Sequence, residues 1–74
     1  MLIEQTSTLL FHFKLEEGSL QMVLMQNEKG QYGIIENVFV KEQFRKQGIA
    51  SNLVAEAVKL AKRLKMYKIV LTCS

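Results

Sequence analysis

The chain has 74 residues, a net charge of +3, a single cysteine and no proline. That length allows one domain or part of one, and a lone cysteine excludes an intrachain disulfide and a zinc-type cysteine cluster. The hydrophobic content of 49% is that of a globular protein rather than a disordered one, and no apolar run approaches a membrane span. A domain this short is marginal in water unless it is stapled or finds a partner. The start, Met1-Leu2-Ile3-Glu4, has neither a basic segment nor a long apolar core of the secretory kind, so with the lone thiol the expectation is a cytoplasmic protein.

In chain order, residues 8–14 alternate, with Leu9, Phe11 and Phe13 on one side and Leu10, His12 and Lys14 on the other, which predicts a strand. Leu15-Glu16-Glu17-Gly18-Ser19 reads as a turn. A second strand follows over 20–26, with Leu20, Met22 and Leu24 against Gln21, Val23 and Met25. Asn27-Glu28-Lys29-Gly30 has the residue types of a tight turn, so these two strands and the next are antiparallel neighbours. A third strand runs from about Tyr32 to Val40, and Gly33 predicts a weak or bent beginning. The period then changes. Over 48–65, Leu53, Ala57, Leu60, Ala61 and Leu64 form an apolar stripe at helical spacing, with Lys62, Arg63 and Lys65 favouring the carboxyl end. Residues 67–73 are a β-branched strand ending at Cys73. The order is β-β-β-α-β, and the final β-α-β is expected to be a right-handed crossover between parallel strands.

Charge is divided unevenly. Residues 1–40 hold two lysines against five glutamates, whereas residues 41–74 hold eight basic residues against two glutamates. Lys59, Lys62, Arg63 and Lys65 read as a solvated helix face. Arg45-Lys46-Gln47-Gly48-Ile49-Ala50 reads differently, because it joins a strand to a helix. A glycine turn opening a helix leaves several backbone N–H groups unpaired and convergent, which suits a phosphate or pyrophosphate. The basic half lacks aromatic–basic interleaving and any nucleic-acid motif, which disfavours a nucleic-acid partner.

Val38-Phe39-Val40, a short spacer, Arg45-x-x-Gly48-x-Ala50 and the amphipathic helix resemble the GNAT family of N-acetyltransferases. In that family the motif Arg/Gln-x-x-Gly-x-Gly/Ala cradles the pyrophosphate of acetyl-CoA. Residues 32–74 carry the resemblance. The runs Ile35-Glu36-Asn37-Val38, Leu60-Ala61-Lys62-Arg63-Leu64 and Tyr67-Lys68-Ile69-Val70-Leu71-Thr72-Cys73-Ser74 look most like the glucosamine-6-phosphate N-acetyltransferase branch. The resemblance implies an α+β, partial acyl-CoA N-acyltransferase fold in one partial domain: three strands over 8–40, the pyrophosphate turn and helix over 45–65, and a last strand over 67–73. It implies a mixed sheet with an antiparallel hairpin and a parallel β-α-β unit.

The resemblance also implies the site. Backbone amides of Gln47, Gly48, Ala50 and Ser51 would face the pyrophosphate, with Ile49 between them and Arg45 and Lys46 adding charge. Gly48 has no Cβ to keep a phosphate away from the backbone. The backbone of Val38, Phe39 and Val40 would pair with the pantetheine arm, and the thioester would lie where the third and last strands splay apart. Glu36 is the candidate general base, taking a proton from the acceptor ammonium directly or through water. By period two it shares a face with Ile34, Val38 and Val40 unless a bulge intervenes; its alternative role is an ordinary surface carboxylate. Asn37 reads as a residue of the opposite face, His12 as a solvated histidine, Cys73 as a small packing residue, and Tyr32 and Tyr67 as packing residues with polar tips. The implied partners are acetyl-CoA as cosubstrate, without a metal or a membrane, and a small-molecule amine, such as an amino sugar phosphate.

The chain also departs from the family pattern. Two acceptor-site helices near the start, and the helix, strands and acidic tyrosine after the point where the chain stops, have no counterpart here. The exposed last strand then predicts a homo-oligomer. Two readings stay open: an acetyltransferase domain in partial form, or a non-catalytic module that binds CoA or a protein.

Overall fold

In the computed structural model of the chain, which describes residues 1–71, five strands form one sheet in the order β1-β2-β3-β4-β5. They are β1 (Leu2–Ser7), β2 (Leu10–Lys14), β3 (Gly18–Asn27), β4 (Gly30–Val40) and β5 (Ile69–Leu71). A 3-10 turn over Glu42–Phe44 precedes the one helix, α1 (Ile49–Arg63). The first four strands are antiparallel, and β4 and β5 are parallel, joined through α1. Cys73 and the end of the predicted 67–73 strand lie outside the described residues.

The alternation read in the sequence sorts side chains between the two faces. Phe11 and Phe13 on β2, Leu20 and Met22 on β3 and Ile35 on β4 are buried against Leu53, Ala57 and Ala61 of α1. Leu60, Leu64 and Met66 pack around that core. Residues three and four apart share a helix face, so these positions make one stripe. The helix ends where the sequence lacks glycine. Lys65 adopts a left-handed φ of 59°, while its N–H donates to Lys62 O (3.1 Å) and that of Met66 donates to Ala61 O (2.9 Å). That is a Schellman cap, and it turns Met66 back onto the core.

Three features differ from the sequence pattern. The first is β1, whose residues are mostly exposed and do not alternate. It exists because Leu2 to Gln5 pair with β2, with Ile3 opposite Phe13 and Gln5 opposite Phe11. Thr8 and Leu9 therefore form a turn rather than a strand, with Leu9 N–H donating to Ser7 Oγ (3.3 Å). Second, Gly33 lies within regular pairing, opposite Leu24 and Ile69, and not at a bend. A Cβ there would stand 3.0 Å from the sulfurs of both Met22 and Met66, so the glycine makes room for methionine. Third, a bulge intervenes in β4. Gln21 pairs with Glu36 but Ser19 pairs with Phe39, so Asn37 and Val38 together oppose Leu20. Asn37 takes a left-handed φ of 54°, which asparagine tolerates, and its Nδ2 donates to Gln21 Oε1 (2.6 Å).

Candidate functional site

The chain leaves β4 at Val40 and reaches α1 through a turn fixed largely by its own backbone. Phe44 N–H donates to Lys41 O (2.9 Å), and Arg45 N–H to Glu42 O (3.3 Å). Lys46 and Gly48 both have left-handed φ, 64° and 77°. Gly48 is the N-cap of α1 without a side-chain hydrogen bond, and the first bond of the helix there is Asn52 N–H to Gly48 O (3.0 Å). The amides of Ile49, Ala50 and Ser51 precede that bond and are left to an outside acceptor. They carry the positive end of a 15-residue helix dipole.

A hollow of about 280 Å³ lies at this end. Arg45, Lys46, Gly48, Ile49, Ala50 and Ser51 line it from the turn and helix, and Val40 and Phe44 from the strand side. A Cβ built on Gly48 meets nothing within 4 Å. The glycine is thus required by its φ and not by a protein neighbour, and the space beside it is open to a ligand. Arg45 Nε donates to Val40 O at 3.4 Å, which draws the guanidinium toward the strand end. Gln47 lies outside the hollow's lining, and its Nε2 donates to Gln43 O (3.4 Å). Phe44 was not singled out by sequence reading. Its signal is an apolar ring in an otherwise polar connection.

Val38 and Phe39 also lie outside that hollow. Their strand is paired on one edge by β3 as far as Val40, but on the other edge β5 meets only Gly33, Ile34 and Ile35. From Glu36 to Val40 that edge borders no strand among the described residues. The expected splay of β5 falls beyond Leu71, outside them.

The bulge is the exception under which Val38 and Val40 no longer share the face of Glu36. Glu36 stays with Ile34 on the side away from α1, but Val40 pairs with buried Gly18 and faces the helix side. Phe39, opposite Ser19, takes the place beside Glu36. Glu36 is half-buried on this open face, next to Gln21 and two strands from His12. A second groove, of about 400 Å³, opens on the same face and includes His12, Lys14, Ser19, Phe39 and Lys41. At the opposite end of the sheet, Tyr32 and Tyr67 meet edge to face at 6.1 Å, with Lys68 Nζ 4.9 Å from the Tyr32 ring, a packing arrangement apart from either hollow. Among the described residues no group of three or more His, Cys, Asp or Glu is arranged to hold a metal, and no helix is long and apolar enough to cross a membrane.

No curated protein matches this chain in sequence. Solved structures share its fold. Glucosamine-6-phosphate N-acetyltransferase from Arabidopsis thaliana is 22% identical with a TM-score of 0.76, covering 88% of this chain and 50% of its own. A predicted acetyltransferase with acetyl-CoA from Clostridium acetobutylicum is 23% identical with a TM-score of 0.77, covering 89% and 50%. An aminoglycoside acetyltransferase from an uncultured soil metagenomic sample is 20% identical with a TM-score of 0.83, covering 93% and 50%. The chain thus spans about half the length of these structures. The model of the acetyltransferase (GNAT) family matches residues 11–74, which takes in β2 to β5, the bulged strand and the glycine turn. A strand, a left-handed glycine turn and a helix whose first amides face an open hollow are what that match covers, and the chain belongs to the GNAT acetyltransferase family.

Proposed function

We propose that this chain binds acetyl-CoA at the Arg45–Ser51 turn and takes part in moving its acetyl group to an amine. The observation that carries this reading is the hollow at the start of α1, where open space beside Gly48 meets the amides of Ile49, Ala50 and Ser51. The fit is chemical. Convergent N–H donors, a helix dipole and the Arg45 and Lys46 side chains all favour a pyrophosphate. The backbone edge of Val38, Phe39 and Val40 is the part of β4 to hold an extended, amide-bearing arm.

Acetyl-CoA supplies an acetyl group already activated as a thioester. Glu36 accepts a proton from the acceptor ammonium, and the neutral amine forms its bond to the acetyl carbon as the C–S bond breaks. The nitrogen gives up its second proton as the amide forms and the departing thiolate takes one up, both through solvent, so that only the proton held by Glu36 is released. An amino sugar phosphate is the acceptor that the branch resemblance favours, in a cytoplasmic setting. Since the chain spans half of the structures it resembles, the second reading is a module that binds CoA or a protein partner without turnover.

Calorimetric titration with acetyl-CoA tests the first step. Micromolar binding is expected, and Gly48→Trp should weaken it by at least roughly tenfold, because the ring fills the hollow and the φ suits glycine. Wild-type protein that is folded and binds no acetyl-CoA would sink the proposal. Binding without turnover over a panel of amines would favour the second reading.

A further inference from the structure

The bulge does more than exchange faces. Asn37, which strict alternation would place on the helix side, reaches across the open face instead, and its Nδ2 donates to Gln21 Oε1 at 2.6 Å. Gln21 is the residue that pairs with Glu36. It has two cross-strand neighbours on that face, His12 on β2 and Glu36 on β4. The bond to Asn37 draws its carboxamide toward β4, and so toward Glu36. That bond also sets which way the carboxamide faces. A carboxamide has one accepting oxygen and one donating nitrogen. With Oε1 given to Asn37, Nε2 is the atom left for the neighbouring carboxylate. The reverse orientation, with Asn37 accepting, would set a carbonyl oxygen beside a carboxylate, and two acceptors repel.

Gln21 is distinguished from the other polar residues of the face by its register. Glu36 borders no strand on its other edge, so Gln21 is its one cross-strand neighbour among the described residues. Both are half-buried, and directly paired residues bring their Cβ atoms to about 5 Å. Among the described residues neither Gln21 Nε2 nor the Glu36 carboxylate has a hydrogen-bond partner, and the two do not bond each other. A donor and an acceptor held side by side without touching are the two ends that one water bridges. Such a water accepts from Nε2, donates to the carboxylate and keeps a lone pair for a third group. An ammonium donates and does not accept, so it fits that third position.

We infer that Gln21, clamped by Asn37, is a positioning residue of the proposed transfer, holding the water through which Glu36 takes the proton from the acceptor ammonium. The inference rests on the acetyltransferase reading of Glu36 and names the route of its proton. The water hands one proton to Glu36 as it takes one from the ammonium, so it leaves the step unchanged. The amine, now neutral, is free to attack the thioester. Gln21 acts through the water and not on the reacting atoms. Asn37 has two separable roles: its backbone tolerates the left-handed φ of the bulge, and its side chain orients Gln21.

The test measures turnover by the full chain over a panel of amines that includes glucosamine 6-phosphate, with acetyl-CoA binding followed by calorimetry. Gln21→Met keeps the length of the side chain and removes the donor. It should lower kcat roughly tenfold or more and leave the Kd for acetyl-CoA within about twofold of the parent. Asn37→Gly keeps the backbone conformation and removes the clamp, so it should lower kcat by a smaller factor. The double variant should be no slower than Gln21→Met alone, because the clamp acts through Gln21. Thermal unfolding checks that each variant folds, and Asn37→Gly decides alone if Gln21→Met does not fold. A wild-type chain that acetylates no amine, or a Glu36→Gln variant as fast as the parent, overturns the acetyltransferase reading and this inference with it. Turnover that Glu36→Gln abolishes but Gln21→Met and Asn37→Gly leave unchanged overturns this inference alone. So does a loss of kcat matched by an equal loss of acetyl-CoA binding, or a double variant in which the two losses simply multiply.

Discussion

Among the described residues five have positive φ, and each sits where the chain changes direction or face. Gly30 starts β4 after the hairpin turn, Asn37 carries the bulge, Lys46 and Gly48 shape the turn before α1, and Lys65 ends the helix. Only the two glycines have the residue type that makes such a φ free of steric cost. At Lys65 the side chain is incidental to the cap, since both bonds of the Schellman motif come from the backbone. Replacing it should therefore relieve strain without removing a contact. Lys65→Gly is expected to raise unfolding stability by about 0.5–1 kcal/mol, less than the full left-handed penalty because glycine also loosens the unfolded chain. Urea denaturation would detect this, and a destabilised variant would show that the lysine stem packs usefully against the helix end.

At the scale of elements, α1 both covers the sheet and presents the anion-binding end, so its packing and its function are mechanically joined. Its grip on the sheet is narrow. Three of its residues, Leu53, Ala57 and Ala61, are buried, and two of those are alanines. Leu53 is fully enclosed and is the only large side chain that the helix buries completely. Leu53→Ala is expected to cost roughly 2–5 kcal/mol through lost transfer energy and a residual cavity. That is a large part of the 5–15 kcal/mol available to a typical domain. The variant should lose cooperative thermal unfolding, whereas Lys59→Ala, on the solvated face, should stay within about 0.5 kcal/mol of the parent. A Leu53→Ala transition as sharp as the parent's would mean that β-pairing alone holds the molecule.

For the whole molecule, the imbalance between the two faces of the sheet is decisive. One face is covered by α1. The other presents Leu2, Met25, Phe39 and Val70 among its exposed apolar side chains, and β5 ends in Leu71, 59% exposed. The accessible surface is 5229 Å² for an 8.5 kDa chain. A compact monomer of that mass is expected to expose about 4,700 Å². Burying the surplus is favourable at about 25 cal/mol per Å² of apolar area, and the edge of β5 offers unpaired backbone groups as well. The proposed homo-oligomer follows from these two surfaces. Sedimentation velocity should find a dimer or larger assembly at low micromolar concentration. A stable monomer there would refute association through this face.

The sequence by itself determined the parts governed by local periodicity and local chemistry. The alternation of Phe11 and Phe13 and of Leu20 and Met22, the helical stripe of Leu53, Ala57 and Ala61, and the glycine turn at Gly48 are properties of neighbouring residues, and they were legible for that reason. Their family followed from the same residues. Tertiary structure decided what depends on pairing between distant segments. β1 has no pattern of its own and exists by virtue of β2. Gly33 is explained by two methionine sulfurs from elsewhere in the chain. The bulge at Asn37 and Val38 appears only in the register of β4 against β3. That single extra residue reverses the faces of Phe39 and Val40, because side chains alternate strictly along a strand. It thereby decides which residues stand beside Glu36, something no count of positions along the chain would reveal.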